Sequence, residues 1–529
     1  MMSHPSRGAV PLLFFSLAFA CLMGMAAAMG RPAFLAPFVG LIGLLVLFVI
    51  PARLAFWTIF FMSMLVMGPV MYFGKIESAR WVPPLLTLAL YVPLVAFILK
   101  PKRPTVDAGW PLWIFILAMF LAVAVCTTAL SSPMVGEVAV ASRAYFAFWS
   151  VALALAVGMF GPRDMLLAWK ALLACAVLQL PVAMYQYFVV AKHSSRLSPW
   201  DAVVGTFPGN MEGGGASHGM GIFLLIAMAA VLSLWRTRQI HRGVAIVILL
   251  SIMGSLGLSE VKAAVLLVPA VFALVYYREL LQRPALSIGA VLISVALMGT
   301  LILVYENTFY ANRGMTLSGK MPTSPLQAVQ NQLNPNEVHS RSEGGGVVVS
   351  RAARMADWWQ RSVRYGDPFH AFLGYGIGAT QISSIGMGEL VRQFPYPLDM
   401  TSTAILLWET GVLGHLLLMA VLFLAGVNCS SSARSPLVPV AHKALLEAAA
   451  AGLIIYAITL PYSNFALRAA PSQFLMVFML GYSAYWWRFV RMGSLEHAAG
   501  SAHRPLEGSE QPAATGLAGK HPTPRYLHG

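Results

Sequence analysis

The sequence predicts an all-α membrane protein that crosses the bilayer many times. Of its 529 residues, 58% are hydrophobic and only 10% are charged, whereas a soluble protein carries about 25% charged residues. Apolar stretches of about 20 residues recur along the chain, each long enough to cross a hydrocarbon core of roughly 30 Å. Because a chain inside lipid must satisfy its own backbone polar groups, these stretches are expected to be helices.

The apolar stretches indicate about fourteen transmembrane helices. They are predicted at residues 9–29, 33–50, 54–73, 82–99, 110–130, 143–160, 164–191, 219–235, 242–258, 261–277, 285–305, 402–426, 443–461 and 470–488. The first thirty residues also resemble a signal peptide. An uncleaved first span is favoured because further spans follow at once. The stretch Ser259–Lys262 is either a turn between two spans or part of a broken, re-entrant element.

Four regions follow from this pattern. Residues 1–305 are predicted to form an N-terminal bundle of about eleven helices, and residues 402–489 about three more. Between them, residues 306–401 form one large polar loop that contains amphipathic helices. Residues 490–529 have no periodic apolar pattern and are predicted to be a disordered tail. The two halves do not show the matching interrupted spans of an inverted-repeat transporter.

Lysine and arginine residues identify which loops face the cytoplasm. Alternate loops contain Arg53; Lys100, Lys102 and Arg103; Arg163; Arg236, Arg238 and Arg242; Arg278 and Arg283; Arg434 and Lys443; Arg488 and Arg491. If these loops are cytoplasmic, both termini are cytoplasmic and the loops 192–218 and 306–401 are external. Most of the net charge of +15 is then explained by Lys and Arg residues in cytoplasmic loops. The bilayer is therefore the predicted partner, and nucleic acid is not.

The large loop is nevertheless rich in arginine, in the segment "SRAARMADWWQRSVRYGDPFHAFLGYGIG" that begins at Ser350. At helical spacing, Arg351, Arg354 and Arg361 lie mostly along one side, together with Trp358. Guanidinium groups form bidentate hydrogen bonds with phosphate, and a tryptophan offers a flat face to a sugar ring. The segment is predicted to bind a sugar phosphate. The alternative is that its arginines only contact lipid headgroups.

A glycine-rich turn follows this helix, which Pro368 is expected to end. Gly374, Gly376 and Gly378 alternate with larger residues, and glycine adopts backbone conformations that other residues avoid. We expect a tight turn close to the membrane, with a structural role for the three glycines.

Six charged or titratable residues are predicted near the external ends of spans. They are Arg143, His218, Glu260, Lys262, Asp399 and Glu409. Each alone is explained by an ion pair that locks two helices, but six at one depth favour a shared polar cavity. Among them His218 is a candidate proton acceptor, because imidazole titrates near neutral pH. Glu409 lies about two turns inside a predicted span, so it is expected to be structural and to pair with Arg143 or Lys262.

Four motifs, in order, resemble the O-antigen ligase and O-antigen polymerase superfamily of membrane glycosyltransferases. They are "GTFPGNMEGGGASHGMGIFLL", "LGLSEVKAAVLLVPA", "RMADWWQRSV…GDPFHAFLGYGIGA" and "STAILLWETGVLGHLLL". The resemblance covers roughly residues 200–425. Two departures stand out. Glu260 to Lys262 replace a family arginine, and the stretch "PLDMTSTA" lacks the histidine of the ligases. The second departure favours a polymerase.

The resemblance implies a reaction at the periplasmic face of a bacterial inner membrane. The substrate would be a polyprenyl-diphosphate-linked glycan, and no nucleotide sugar, metal or other cofactor would be needed. The implied partners are a chain-length regulator and a flippase. The candidate bases are Asp399, Glu260 and His218. The implied ligands of the diphosphate and first sugars are Arg354, Arg361, Arg351, Trp358, Lys262 and Arg143.

Three rival functions stay open at this point. One is an O-antigen ligase that transfers glycan from the lipid carrier to an acceptor. Another is a transporter or flippase for lipid-linked sugars, although a carrier places its charges at the bilayer midplane between related halves. The third is a non-catalytic assembly component whose loop only docks the growing chain.

Overall fold

The computed structural model describes residues 51–100, 108–131, 134–193, 199–212, 216–259, 261–307, 347–382 and 396–502, with 327, 330–331, 334, 338–340, 387–388 and 390–394. The helices predicted at 9–29 and 33–50 lie outside the described residues. So do the glycine run 213–215, Glu260 and most of the segment 308–346.

Helices, most of them apolar, form the N-terminal part of the described chain. They are α1 Ala52–Gly74, α2 Glu77–Leu99, α3 Leu112–Ser131, α4 Val135–Ala156, α5 Pro162–His193, α6 Ser217–Arg236, α7 Arg242–Leu258, α8 Lys262–Val275, α9 Tyr277–Gln282 and α10 Pro284–Tyr305. Single π-helical turns interrupt α1 and α4, and another lies near the end of α5. A short 3-10 turn, Pro199–Ala202, lies between α5 and α6.

The C-terminal part begins with a small antiparallel hairpin of strands β1 Val338–Ser340 and β2 Val347–Val349, in which His339 is opposite Val348. The helices that follow are α11 Arg351–Trp358, α12 Pro368–Leu373, α13 Ser402–Glu409, α14 Gly411–Ala433, α15 Val440–Thr459, α16 Phe465–Arg468 and α17 Ala470–Ala502. A π-helical turn, Trp359–Arg364, extends α11. The 3-10 turn Leu390–Gln393 lies between α12 and α13.

Eight of the described helices are long and apolar enough to cross a membrane, namely α1 to α6, α14 and α15. Shorter apolar helices occur in α7, α8 and α10. The predicted class, a helical protein with many candidate spans, is confirmed at this level, and the number fourteen stays a prediction. The helix predicted at 470–488 exists as the first part of α17, which continues past residue 490, where the sequence predicts a tail.

The centre of the bundle is α6, whose apolar stretch is 94% buried. It packs against α15, α8 and α7, while α17 packs against α4 and α14. Small residues allow these close approaches. A Cβ atom on Gly452 would lie 2.6 Å from the sulfur of Met479 and 3.2 Å from Ile226. Three helices, α6, α15 and α17, meet at this position.

Two predicted boundaries are wrong in a way that affects the site. The single helix predicted at 402–426 is broken between Glu409 and Gly411, because Gly411 has a φ of +66° and a segment of the large loop lies against the break. Glu409 therefore ends a short helix and precedes the span. The helix predicted to begin at Arg143 begins at Val135, so Arg143 lies within α4.

Candidate functional site

Several arginines converge near Asp399. Arg468 of α16 lies 3.7 Å from the Asp399 carboxylate, and Arg354 of α11 is close enough to interact electrostatically with the same carboxylate. Arg351 lies near Arg354, and Arg143 lies near both Arg468 and Arg80, close enough for the like charges to interact. We call the set the arginine cluster, which consists of Arg80, Arg143, Arg351, Arg354 and Arg468.

Local sequence fixes the two arginines of α11. Ser350 is the N-cap residue, whose Oγ accepts a hydrogen bond from the Ala353 amide at 3.0 Å and donates one to the Asn334 carbonyl at 2.6 Å. An N-cap serine sets the start of a helix. Arg351 and Arg354 are then one turn apart, so they lie on neighbouring parts of the same helix surface.

Arg354 is buried, with 4% of its surface exposed, yet its Nε and Nη1 atoms have no hydrogen-bond partner. Burial lowers the pKa of Arg354 to about 10, which still leaves the guanidinium charged at neutral pH. A buried charged group without hydrogen bonds is costly. The Nε atom of Arg351 is also unpartnered, so the two side chains present donors that an anion would satisfy.

Arg351 connects the cluster to His218. Its guanidinium carbon lies 3.9 Å from the centre of the Tyr462 ring, a cation–π contact. The Tyr462 hydroxyl in turn lies 3.0 Å from Nε2 of His218, in the first turn of α6. Phe465 stacks on the imidazole, with ring centres 6.2 Å apart. The histidine thereby contacts two aromatic rings.

Backbone hydrogen bonds hold Asp399 in place. The Asn464 side chain donates to the Asp399 carbonyl at 2.6 Å, and the Ser402 amide and hydroxyl both donate to the Ser463 carbonyl. These bonds join the chain before α13 to the turn after α15. Because Arg468 follows that turn directly, the same bonds position it beside Asp399.

A small pocket adjoins this polar group. His218 and Tyr462 form its polar end, and apolar side chains of α6 and α8, including Ile222 and Leu267, line the rest. The pocket meets the cluster at Tyr462, whose ring also contacts Arg351. Among the described residues no group of three or more His, Cys, Asp and Glu side chains could hold a metal ion.

The predicted role of Trp358 as a platform for a sugar is wrong. Its side chain is buried, with 5% exposed, and its indole nitrogen donates to the Leu407 carbonyl at 3.2 Å. Trp358 therefore anchors α11 to α13. The neighbouring Trp359, 57% exposed, is the accessible ring.

Arg361 does not share the surroundings of Arg354. It is exposed, its Nε donates to Asp357 at 2.9 Å, and its guanidinium lies 4.5 Å from the Phe394 ring. The π-helical turn that begins at Trp359 changes the helical repeat. Regular helical spacing would place Arg361, two turns after Arg354, on the same face. The π-helical turn places it on a different one.

The glycine turn packs its backbone directly on the membrane helices. Gly374, Gly376 and Gly378 have φ angles of +82°, +88° and +92°. An added Cβ would lie 2.5 Å from the Glu409 backbone at Gly374, and 2.8 Å from the Glu137 carbonyl at Gly378. Both the conformation and the space require glycine here.

Glu409 is buried and takes its hydrogen bonds from this turn. Its Oε1 accepts from the Thr380 amide at 3.3 Å and from the Thr380 hydroxyl at 2.6 Å. The Tyr145 hydroxyl faces the same carboxylate without the geometry of a hydrogen bond. The predicted ion pair between Glu409 and Arg143 is wrong, because the Arg143 guanidinium lies over the Trp81 ring, 4.7 Å from its centre.

Two candidates are not placed by the structure. Glu260 lies outside the described residues, and only the backbone of Lys262, at the start of α8, is described. Their predicted roles as base and phosphate ligand stay predictions.

Sequence reasoning missed Arg80, Arg468 and Tyr462. A signal was present, because the charge register places both arginines in loops on the same side as the large loop, where positive charge is scarce. The buried Glu137, beside the glycine turn, was also missed. It lies in a stretch that the sequence predicts to be a loop before a span.

No known protein-family model matches this chain, and no curated protein sequence shows significant similarity to it. The resemblance to the O-antigen ligase and polymerase superfamily therefore stays a prediction, and the function is proposed from the geometry of the site.

Proposed function

We propose that the protein is a membrane glycosyltransferase that polymerises polyprenyl-diphosphate-linked oligosaccharide units at the periplasmic face of a bacterial inner membrane. The product would be an exopolysaccharide, a capsule or an O-antigen. The observation that carries the proposal is the unpartnered, buried guanidinium of Arg354, which lies near Arg351 and shares the Asp399 carboxylate with Arg468. An anion with several oxygens, such as a diphosphate, satisfies these donors.

The cluster also carries more positive charge than its described neighbours neutralise. Two of the five arginines, Arg468 and Arg354, share the Asp399 carboxylate, and each also has a further arginine of the cluster nearby. Repulsion among such guanidinium groups is relieved when an anion binds. Arginine suits this role because its planar fork matches phosphate oxygens and because it stays charged when buried. The charges come from α2, α4, α11 and α16, so the site forms only in the folded bundle.

In the proposed reaction a hydroxyl group of one lipid-linked unit attacks the anomeric carbon of another. A new C–O bond forms, the bond between the anomeric carbon and the diphosphate breaks, and the diphosphate leaves with the electron pair. Negative charge on the leaving group grows in the transition state. Preorganised guanidinium groups stabilise such charge most strongly where water is excluded. We assign this role to Arg354, Arg351 and Arg468.

The hydroxyl proton requires an acceptor. Asp399 is engaged by Arg468 and Arg354, so its proposed role is to orient the arginines. His218 lies at the border between the cluster and the apolar pocket, and its imidazole suits proton transfer near neutral pH. We therefore favour His218 as the base.

Deletion of the gene tests the proposal against its rivals. Without a polymerase, single repeat units should accumulate on the lipid carrier, measured as glycan length after mild acid release. Long chains that stay on the carrier would instead identify a ligase, and units confined to the cytoplasmic leaflet would identify a flippase. Either of these two outcomes overturns the polymerase assignment.

The purified protein provides a direct test. When it is reconstituted in liposomes with a synthetic polyprenyl-diphosphate oligosaccharide, it should convert single units into longer chains without added nucleotide sugar. An unchanged unit length, with protein that is folded and correctly inserted, would argue against any polymerase activity.

A further inference from the structure

The large loop carries an exposed apolar surface whose residues are separate from the arginine cluster. We call it the aromatic patch, which consists of Trp359, Val363, Tyr365, Phe369 and Phe372. All five side chains are exposed, from 38% for Val363 to 75% for Tyr365. They lie on the π-helical turn after α11 and on α12, whose buried residues include Ser362 and Ala371. Neither the arginine cluster nor the proposed reaction accounts for this surface.

The patch lies level with the first turn of a candidate span. A Cβ atom added at Gly411, the first residue of α14, would be 2.2 Å from the Phe372 carbonyl oxygen, so α12 touches the very start of that helix. Farther along α14, Leu416 and Phe423 are 58% and 62% exposed. In a span these side chains face lipid, and α12, which carries Phe369 and Phe372 of the aromatic patch, lies at the start of the same helix.

The chemistry of the patch is that of a membrane interface. Tryptophan and tyrosine prefer the headgroup level, where the ring is partly apolar and its polar atom is hydrated. Arg364 is exposed beside Tyr365, with its guanidinium 5.3 Å from the ring centre. Arginine at such a position extends its charged end toward anionic headgroups while its stem stays in apolar surroundings.

We propose that the aromatic patch is a docking surface for the bilayer itself, which holds α11 and α12 flat on the headgroup region of the leaflet beside the arginine cluster. The segment that contains α11 and α12 then has two different faces. Arg351, Arg354 and Trp358 face the protein, and the aromatic patch with Arg364 faces lipid. Docking keeps the α11 arginines at the depth of headgroup phosphates, where a lipid-linked diphosphate would also lie. The proposal depends neither on a glycan substrate nor on which side of the membrane the cluster faces.

The test measures the depth of single probes in the full chain. The four cysteines of the sequence, Cys21, Cys126, Cys175 and Cys429, are replaced by alanine, and an environment-sensitive fluorophore is attached at F369C or F372C. F423C provides the lipid reference, and R392C, at an exposed position on the 3-10 turn Leu390–Gln393, provides a loop comparison. The glutathione adduct of the fluorophore provides the aqueous reference. Proteins are placed in nanodiscs of phosphatidylethanolamine and phosphatidylglycerol that hold one copy each.

We expect blue-shifted emission at positions 369 and 372, with quenching by lipids that carry a nitroxide near the headgroup and loss of quenching by aqueous iodide. The probe at position 423 should instead be quenched best by nitroxides deep in the acyl chain. Iodide quenching at 369 and 372 as strong as that of the glutathione adduct would overturn the proposal. Protection from both iodide and lipid nitroxides would also overturn it, because the patch would then be covered by protein. Either result would leave the glycosyltransferase assay unaffected.

Discussion

The Thr380 hydroxyl donates a 2.6 Å hydrogen bond to Glu409 Oε1, which joins the glycine turn of the large loop to the break between α13 and α14. Two backbone bonds run alongside, from the Tyr375 amide to the Trp408 carbonyl and from the Gly376 amide to the Glu409 carbonyl. The Glu409 carboxylate therefore helps to hold the glycine turn against the start of α14. It also lies away from Asp399, at the other end of α13.

Two replacements of Glu409 should show whether its hydrogen bonds or its negative charge matter for activity. E409Q keeps the side-chain oxygen that accepts from Thr380, so polymer yield per folded protein should stay close to that of the parent. E409A leaves the Thr380 donors without a partner and should cost about 1–3 kcal/mol. The measurement is polymer yield normalised to detergent-stable protein.

T380A serves as the matched control for Glu409. If the two side chains act as one unit, the double variant T380A/E409A should be destabilised by less than the sum of the single variants. A chemical role for Glu409 would appear as E409Q protein that accumulates as one monodisperse peak yet makes no polymer.

Arg354 should not tolerate lysine. R354K keeps the positive charge but loses the planar fork, so we expect loss of polymer at a normal protein level. R364K is the control, since Arg364 is exposed and lies outside the cluster, and it should retain activity. Full activity of R354K would show that a point charge suffices there and would remove the argument for bidentate phosphate binding.

Gly376 should not accept alanine. Its φ of +88° costs an L residue roughly 1–2 kcal/mol, and the new Cβ would lie 3.1 Å from the Thr128 Cα. We expect a lower thermal midpoint of the detergent-solubilised protein. G289A is the matched control, because a Cβ added at that helical glycine would meet no atom within 4 Å. Equal midpoints for G376A and G289A would contradict the packing described for the turn.

His218 and Asp399 should differ in the kind of defect they produce. H218Q preserves a hydrogen bond with Tyr462 but removes the titrating group, so kcat should fall while KM for the lipid-linked unit changes little. D399N weakens the contacts that orient Arg468 and Arg354 and should raise KM. The reverse pattern, measured on reconstituted protein, would assign the base to Asp399.

The side of the membrane on which the cluster lies is tested with single cysteines. We expect an impermeant maleimide to label R392C, at an exposed position of the large loop, in intact spheroplasts. S435C, in the turn between α14 and α15, should be labelled only after permeabilisation. Labelling of S435C alone in intact cells would invert the topology and remove the periplasmic reaction.

Much of the site depends on contacts that a linear pattern cannot show. The sequence placed Arg351 and Arg354 together on a helix and Asp399 near a membrane surface, but it did not pair these residues with Arg468 or Tyr462. The reason is that these residues come from separate elements, and only the packing of α13 against the turn after α15 brings them together. Trp358 shows the same limit, because helical spacing cannot tell a buried ring from an exposed one.

By itself the sequence determined that the protein is helical and rich in candidate spans, because long apolar runs with few charges have no other stable form in lipid. It also singled out the arginine-rich loop, since positive charge there has no topological explanation. Only the tertiary structure decided which groups share a site. In the structure the predicted span is interrupted at Gly411, and Glu409 accepts a hydrogen bond from Thr380. Arg354 is buried with unpartnered donors, whereas Arg361 is exposed. Burial and hydrogen-bond satisfaction depend on neighbours distant in sequence, and no local pattern specifies them.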